Sequence, residues 1–252
     1  KRAMKLPNAE IEYMGLNHFA FITKIEQDGK DYLQEALQAG LNSESMKNIP
    51  SSGFTKEQIA AIGAIPTSYL EYYYFQDSKL DHLKHAEKSR GERCMEIEEE
   101  LLAIYQNAEL HVKPAQLSQR GGARYSEVAI NLVNSIWNDV GDIQVVNVLN
   151  KGAMDFLDDN DAVEVCARIG KNGATPLKVT GVVNDHLKEY IRQVKAYEKH
   201  AVKAALEGSK IEAMRALVMN PLCGDLKTAS ACFDELVEAH KEFLPQFVKE
   251  EK

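Results

Sequence analysis

No run of 18 consecutive apolar residues occurs in the 252 residues, which excludes a helix that crosses a membrane. Cysteine is scarce. Cys94, Cys166, Cys223 and Cys232 form no C-x-x-C pair and no zinc-ligand spacing. In a chain of this size they read as reduced, mostly buried thiols. Positive charge is also short, with 30 Lys and Arg against 38 Asp and Glu and a net charge of −8. That balance argues against a broad nucleic-acid surface but leaves room for a local basic pocket for a small anion. There is no G-x-G-x-x-G and no G-x-x-x-x-G-K, and Gly170 with Gly173 makes only G-x-x-G. No phosphate-cradling loop is therefore recognisable. The first ten residues lack the apolar segment of a secretory signal, and the sequence opens on Lys1 rather than Met. The expectation is a cytoplasmic chain that is a piece of something longer.

What is present is ordinary globular material, 44% hydrophobic and 27% charged. The length exceeds one average domain and falls short of two. It suffices to bury a core without disulfides. Residues 11–22 (IEYMGLNHFAFI) read as strand, tight turn, strand, and Asp28-Gly29 as a further turn. A short amphipathic helix is predicted over 31–41, a loop over 42–54, and a capping box at Thr55-x-x-Gln58. Residues 77–107 carry a helical stripe with a predicted break at Gly91. Another amphipathic helix spans 125–138. Residues 142–148, 163–169 and 178–182 read as strands, and 183–207, 211–219 and 228–248 as helices. With no regular βαβ alternation, the fold class is α+β, helix-rich with a small, mostly antiparallel sheet.

Four constellations carry candidate chemistry. His82 and His85 share a helix face and would suit a metal, but their charged neighbours read as a solvated surface. The run 68–75 (SYLEYYYF) holds five aromatic residues, which fit a sugar or base pocket, and fit core or a subunit interface better. Gly15-Leu16-Asn17-His18 fixes a histidine in a tight apolar turn, as a ligand, an acid/base, or a satisfied core residue. Residues 120–127 (RGGARYSE) combine two glycines that permit close backbone approach, two arginines, and Tyr125 at a helix start. A positive field there would favour a phenolate base; the alternative is an inert glycine loop.

Taken together, GLNH and RGGA-x-YSE resemble glycoside hydrolase family 4. So do DIQVVNV-x-NKGA over 142–153, DAVEV over 161–165 and NGATPL over 172–177, in order and spacing. The resemblance runs from about Ile11 to about Phe247 and is nearest to the family's 6-phospho-β-glucosidases. It implies a fold like the carboxy-terminal domain of lactate and malate dehydrogenases. It also implies NAD and a divalent ion, usually Mn²⁺, and an exceptional redox route to glycoside cleavage. In that route carbon 3 of the sugar is oxidised, a tyrosine removes the proton on carbon 2, the aglycone leaves, water adds, and the hydride returns. By position, Tyr125 is then the base, His18 a metal ligand, Asn17 a contact to sugar hydroxyls, and Arg120 a contact to the anionic substrate.

The family's amino-terminal Rossmann half, with its Gly-rich loop and Cys-Asn-x-Pro motif, has no counterpart in the sequence. Residues 1–252 are therefore expected to be the carboxy-terminal catalytic and oligomerisation domain, inactive alone. The full-length enzyme is expected to act on a phosphorylated disaccharide or β-glucoside as a homodimer or homotetramer. Rival readings are a non-catalytic interaction module of the same fold and a relative acting on α-glucosides or α-galactosides. A third, the substrate domain of a hydroxyacid dehydrogenase, lacks the matching His-and-Arg context.

Overall fold

The computed structural model describes residues 4–39, 53–120 and 125–247. The predicted loop over 42–54 and the Gly121-Gly122 pair fall almost wholly outside them. The chain divides into two compact units. The first comprises residues 1–149 and 162–182, and the second residues 150–161 and 183–252.

The first unit is built on an antiparallel sheet. Strand β1 (Glu10–Leu16) turns through Asn17-His18 into β2 (Phe19–Gln27), which turns through Asp28-Gly29 into the short β3 (Lys30–Asp31). Both residues of the second turn have positive φ, 53° and 76°, the conformation a two-residue hairpin requires. Strands β5 (Asp142–Leu149), β6 (Ala162–Gly170) and β7 (Gly173–Pro176) form a second antiparallel set. Gly170 pairs with Gly173, so the G-x-x-G pattern is the closing turn of the β6–β7 hairpin. The two sets join where β1 meets β6, at Met14↔Val165 and Gly15↔Glu164. The strand order is β3-β2-β1-β6-β5, with β4 (Ile65–Pro66) on β2 and β7 on β6. Helix-rich surroundings and an antiparallel sheet match the expected class.

The core of this unit follows the alternation of the strands. Val163, Val165, Ala167 and Ile169 of β6 are buried, as are Met14, Phe19 and Phe21 of the β1–β2 hairpin. Gly15 is required by packing: a Cβ there would stand 2.5 Å from Ala20 Cα. Helix α1 (Leu33–Gln38) lies within the predicted 31–41 span and buries Leu33, Ala36 and Leu37. Helix α2 (Lys56–Ile62) starts at the predicted Thr55–Gln58 capping box. Helix α3 (Glu71–Tyr74) follows a 3₁₀ turn at Ser68–Leu70.

The helical stripe over 77–107 breaks earlier than Gly91. Helix α4 (Gln76–His85) ends first, and α5 (Arg90–Tyr105) begins at Ser89, whose side chain forms a capping box with Glu92. Gly91 sits inside the first turn, because a reciprocal cap outweighs the small helix penalty of one glycine. Arg90 Nη2 donates to the carbonyls of Gln119 and Arg120, both at 2.9 Å, which ties α6 (Leu117–Arg120) to α5.

Helix α7 (Tyr125–Trp137) is amphipathic, with Glu127, Asn131, Asn134 and Ser135 on one side, yet of its residues only Ser135 is buried. Ile130, Val133 and Trp137 all stand in solvent. The predicted strand at 178–182 is instead a loop. Its backbone N–H groups donate to side chains and to a bulge: Thr180 and Gly181 to the Glu12 carboxylate at 2.7 and 2.8 Å, and Val182 to the carbonyl of Thr23. The strand falls on 173–176.

The second unit contains α8 (Asp185–Glu207), α9 (Lys210–Met219) and α10 (Leu226–Ala239). Gly208, at φ 65°, and the N-cap Ser209 turn α8 into α9. Buried Glu212 accepts from His200 Nδ1 at 2.6 Å, Arg215 Nη1 at 2.6 Å and Lys203 Nζ at 3.1 Å. These bonds, His200 foremost, hold its carboxyl down at about 2. Residues 150–161 are organised by buried Asn150. Its amide donates to the carbonyls of Met154 and Leu157, and its oxygen accepts from Met154 N. The last predicted helix is shorter than 228–248: α10 ends at Ala239, six residues before Pro245.

Candidate functional site

The β1–β2 turn presents Asn17 and His18 to solvent at the edge of a buried hairpin. His18 has φ 63°, the left-handed region that costs a non-glycine residue about 1–2 kcal/mol. Its backbone N–H donates to Oε2 of Glu164 at 3.3 Å, and the hydroxyl of Tyr13 donates to the same oxygen at 3.5 Å. Asn147 Nδ2 donates to Asn17 Oδ1 at 3.5 Å. Asn147 and Glu164 are cross-strand partners on β5 and β6, and Glu164 is the register partner of Gly15 on β1. Three strands therefore converge on this turn.

A fourth segment adds a ring. Strand β4 pairs with β2 at Phe21↔Pro66, and Thr67 N–H donates to the carbonyl of Ala20. This anchors the following turn so that the Tyr69 ring lies over the His18 imidazole, centroids 4.3 Å apart and planes tilted by 38°. Tyr73, from the same aromatic run, packs edge-on against Phe19. The run thus serves the core at Tyr73 and the turn at Tyr69.

The electrostatics separate these groups by role. Burial pushes the Glu164 carboxyl above the ordinary carboxylate range, partly offset by its bond from His18. Burial, together with the neighbouring Glu164, pushes the Tyr13 phenol well up. Tyr13 thus keeps its proton at neutral pH and acts as a donor to Glu164. On the same sheet face, where β6 alternates Glu164, Cys166 and Arg168, a groove of about 770 Å³ runs past Tyr13. Its Glu12 is fully committed: besides Thr180 and Gly181 it accepts from Thr23 Oγ1 at 2.7 Å. Glu12 is a structural carboxylate.

Of the four residues read from sequence, His18 and Asn17 come together. Tyr125 stands at the start of α7, 77% exposed, and the side chain of Arg120 is exposed at the end of α6. Among the described contacts of His18 and Asn17, none is with Tyr125 or Arg120. Sequence reasoning missed Glu164, Asn147 and Tyr69. One signal was available: a lone acid between Val163 and Val165 in an apolar strand. No group of three His, Cys, Asp or Glu able to hold a metal occurs among the described residues. The imidazole of His18 is a single donor group, and a metal centre needs more than one.

The chain belongs to family 4 of the glycosyl hydrolases: the model of the family's C-terminal domain matches residues 13–223. It is 37% identical over 244 residues to a probable 6-phospho-beta-glucosidase of Bacillus subtilis, covering 94% of this chain and 55% of that protein. It is 33% identical over 246 residues to the 6-phospho-beta-glucosidase of Escherichia coli, covering 94% and 54%. The fold matches the Thermotoga maritima 6-phospho-beta glucosidase, solved with manganese, NAD+ and glucose-6-phosphate, at TM-score 0.80 and 28% identity, over 93% of this chain and 55% of that one. The chain thus spans about half the length of the curated relatives it matches.

Proposed function

We propose that this chain is the carboxy-terminal catalytic and oligomerisation part of a cytoplasmic, NAD- and Mn²⁺-dependent 6-phospho-β-glucosidase. The observation that carries the proposal is the convergence of Asn17, His18, Tyr69, Asn147 and Glu164 on one exposed turn inside the matched region. The names of the relatives support a phosphorylated glycoside as substrate. In this reading an amino-terminal Rossmann half brings NAD and further metal donors, and the enzyme works as a homodimer or homotetramer.

When bound, NAD removes a hydride from carbon 3 of the sugar and later returns it, and the divalent ion polarises the ketone. The chain's own residues then have three tasks. His18 offers its imidazole as one ligand, with its backbone fixed by Glu164. Asn17 and Asn147 present amide groups suited to sugar hydroxyls, and Arg120 is assigned to the anionic group of the substrate. A tyrosine takes the proton from carbon 2, acidified by the neighbouring ketone. The family resemblance carries Tyr125 into that role. Tyr69, whose ring lies against His18, is the other phenol that the described residues bring to this turn.

A second reading, a non-catalytic association module, is favoured by the exposed apolar surface of α7. One experiment separates the two. The chain is joined to the amino-terminal half of the Bacillus subtilis relative and assayed on a chromogenic β-glucoside 6-phosphate in deuterated water. The enzyme reading expects NAD- and Mn²⁺-dependent release, deuterium at carbon 2 of the product, and loss of both in His18→Ala. A folded, NAD-binding fusion without turnover would leave only the module.

A further inference from the structure

We infer that Glu164 is the positioning residue of this site: its carboxylate holds the His18 backbone in the left-handed conformation that lays the imidazole against Tyr69. The inference rests on the reading of His18 as a functional side chain and deepens it. His18 adopts φ 63° with a full side chain, so the turn needs an external restraint. Glu164 supplies one from the neighbouring strand, as the register partner of Gly15.

The carboxylate is half-buried between Val163 and Val165, both fully buried. Its described hydrogen-bond donors are neutral groups, the His18 N–H and the Tyr13 hydroxyl, and both converge on Oε2. A buried carboxylate needs such donors, and its bonds are stronger than those of a neutral acceptor. Tyr13 fixes the carboxylate from the strand, and the carboxylate fixes the turn. A chain of three residues thus sets one ring, and Tyr69 covers that ring from β4's side of the hairpin.

The test uses the 252-residue chain labelled at histidine. The His18 amide and ring signals are assigned with His18→Gln, and the Tyr69 ring-current shift on the imidazole with Tyr69→Leu. In Glu164→Ala the His18 amide should move and the ring-current shift should vanish, with the other six histidines unchanged. In Glu164→Gln, which keeps an acceptor oxygen, both should stay near their original positions. Glu164→Asp keeps the charge but retracts it by one methylene, so it should behave like Glu164→Ala even if the alanine variant fails to fold. His18 signals that are the same in wild type, Glu164→Ala and Glu164→Asp would overturn the inference. Added Mn²⁺ that leaves wild-type His18 signals unbroadened would count against the metal reading alone, while the Asp–Gln contrast still decides the role of Glu164.

Discussion

The backbone N–H of His18 and the carboxylate of Glu164 meet at 3.3 Å across 146 positions of sequence. Neither residue explains itself alone. The histidine occupies a backbone region disfavoured for its type, and the glutamate occupies a strand whose flanking residues are wholly buried. Each supplies what the other's position requires.

The position of Tyr69 over His18 leads to a direct comparison of two tyrosines. In the fused enzyme described above, Tyr125→Phe should lower kcat by about 10²–10⁴, the range for loss of a general base. Tyr69→Phe should change kcat far less. The reverse order in steady-state assays would move the base to Tyr69.

Gly15→Ala should destabilise the first unit. The added methyl meets Ala20 Cα at 2.5 Å, in a close-packed hairpin that cannot move aside on one edge. A loss of about 1–3 kcal/mol or more is expected, read as a lower urea midpoint. An unchanged midpoint would mean that β1 and β2 separate more easily than their register implies.

Asn150→Ala should be costly in the second unit. The amide satisfies the carbonyls of Met154 and Leu157 and the N–H of Met154 in a buried turn. Buried backbone groups left unpaired cost roughly 1–3 kcal/mol each, so a loss on the order of 3 kcal/mol is expected from chemical denaturation.

Glu212 makes stability depend on pH in a defined window. Its carboxyl lies at about 2 in the folded chain, against an ordinary value of 4.5. The unfolded state therefore binds a proton first as pH falls. The stabilisation is complete above about 4.5 and is lost as pH drops toward 2. Urea midpoints measured from pH 6 to pH 2 should fall less steeply in Glu212→Gln than in the wild type.

Trp137, the sole tryptophan, is 85% exposed on α7. Its emission should be that of a water-exposed indole in the dilute chain and should shift to the blue as concentration rises, if copies of the chain associate through this helix. Concentration-independent emission, with sedimentation showing association, would place the interface elsewhere.

Much of this architecture was legible in sequence because it is local. The β1–β2 hairpin, the Thr55 cap and the helix from Tyr125 follow from periodicity and turn chemistry within a few residues. The misreadings share a cause at longer range. Residues 178–182 alternate like a strand, but the N–H groups of Thr180 and Gly181 belong to Glu12, 168 and 169 positions away. Glu164 looked like one more strand residue because its meaning depends on Gly15 and His18. Tyr69 lay within a run read as core or interface, and Tyr73 bears that reading out. Only the pairing of β4 with β2 shows that its neighbour four residues earlier faces the turn.

The narrow seam between β1 and β6, two register pairs wide, also sets an order of assembly. During synthesis the β1–β2 hairpin can close once residues 10–27 have been made, but the edge that receives β6 stays open until Glu164 has been made. During that interval β1 offers unpaired backbone to any passing strand. Conditions that slow translation between these two points should therefore favour aggregation over a correctly seated His18.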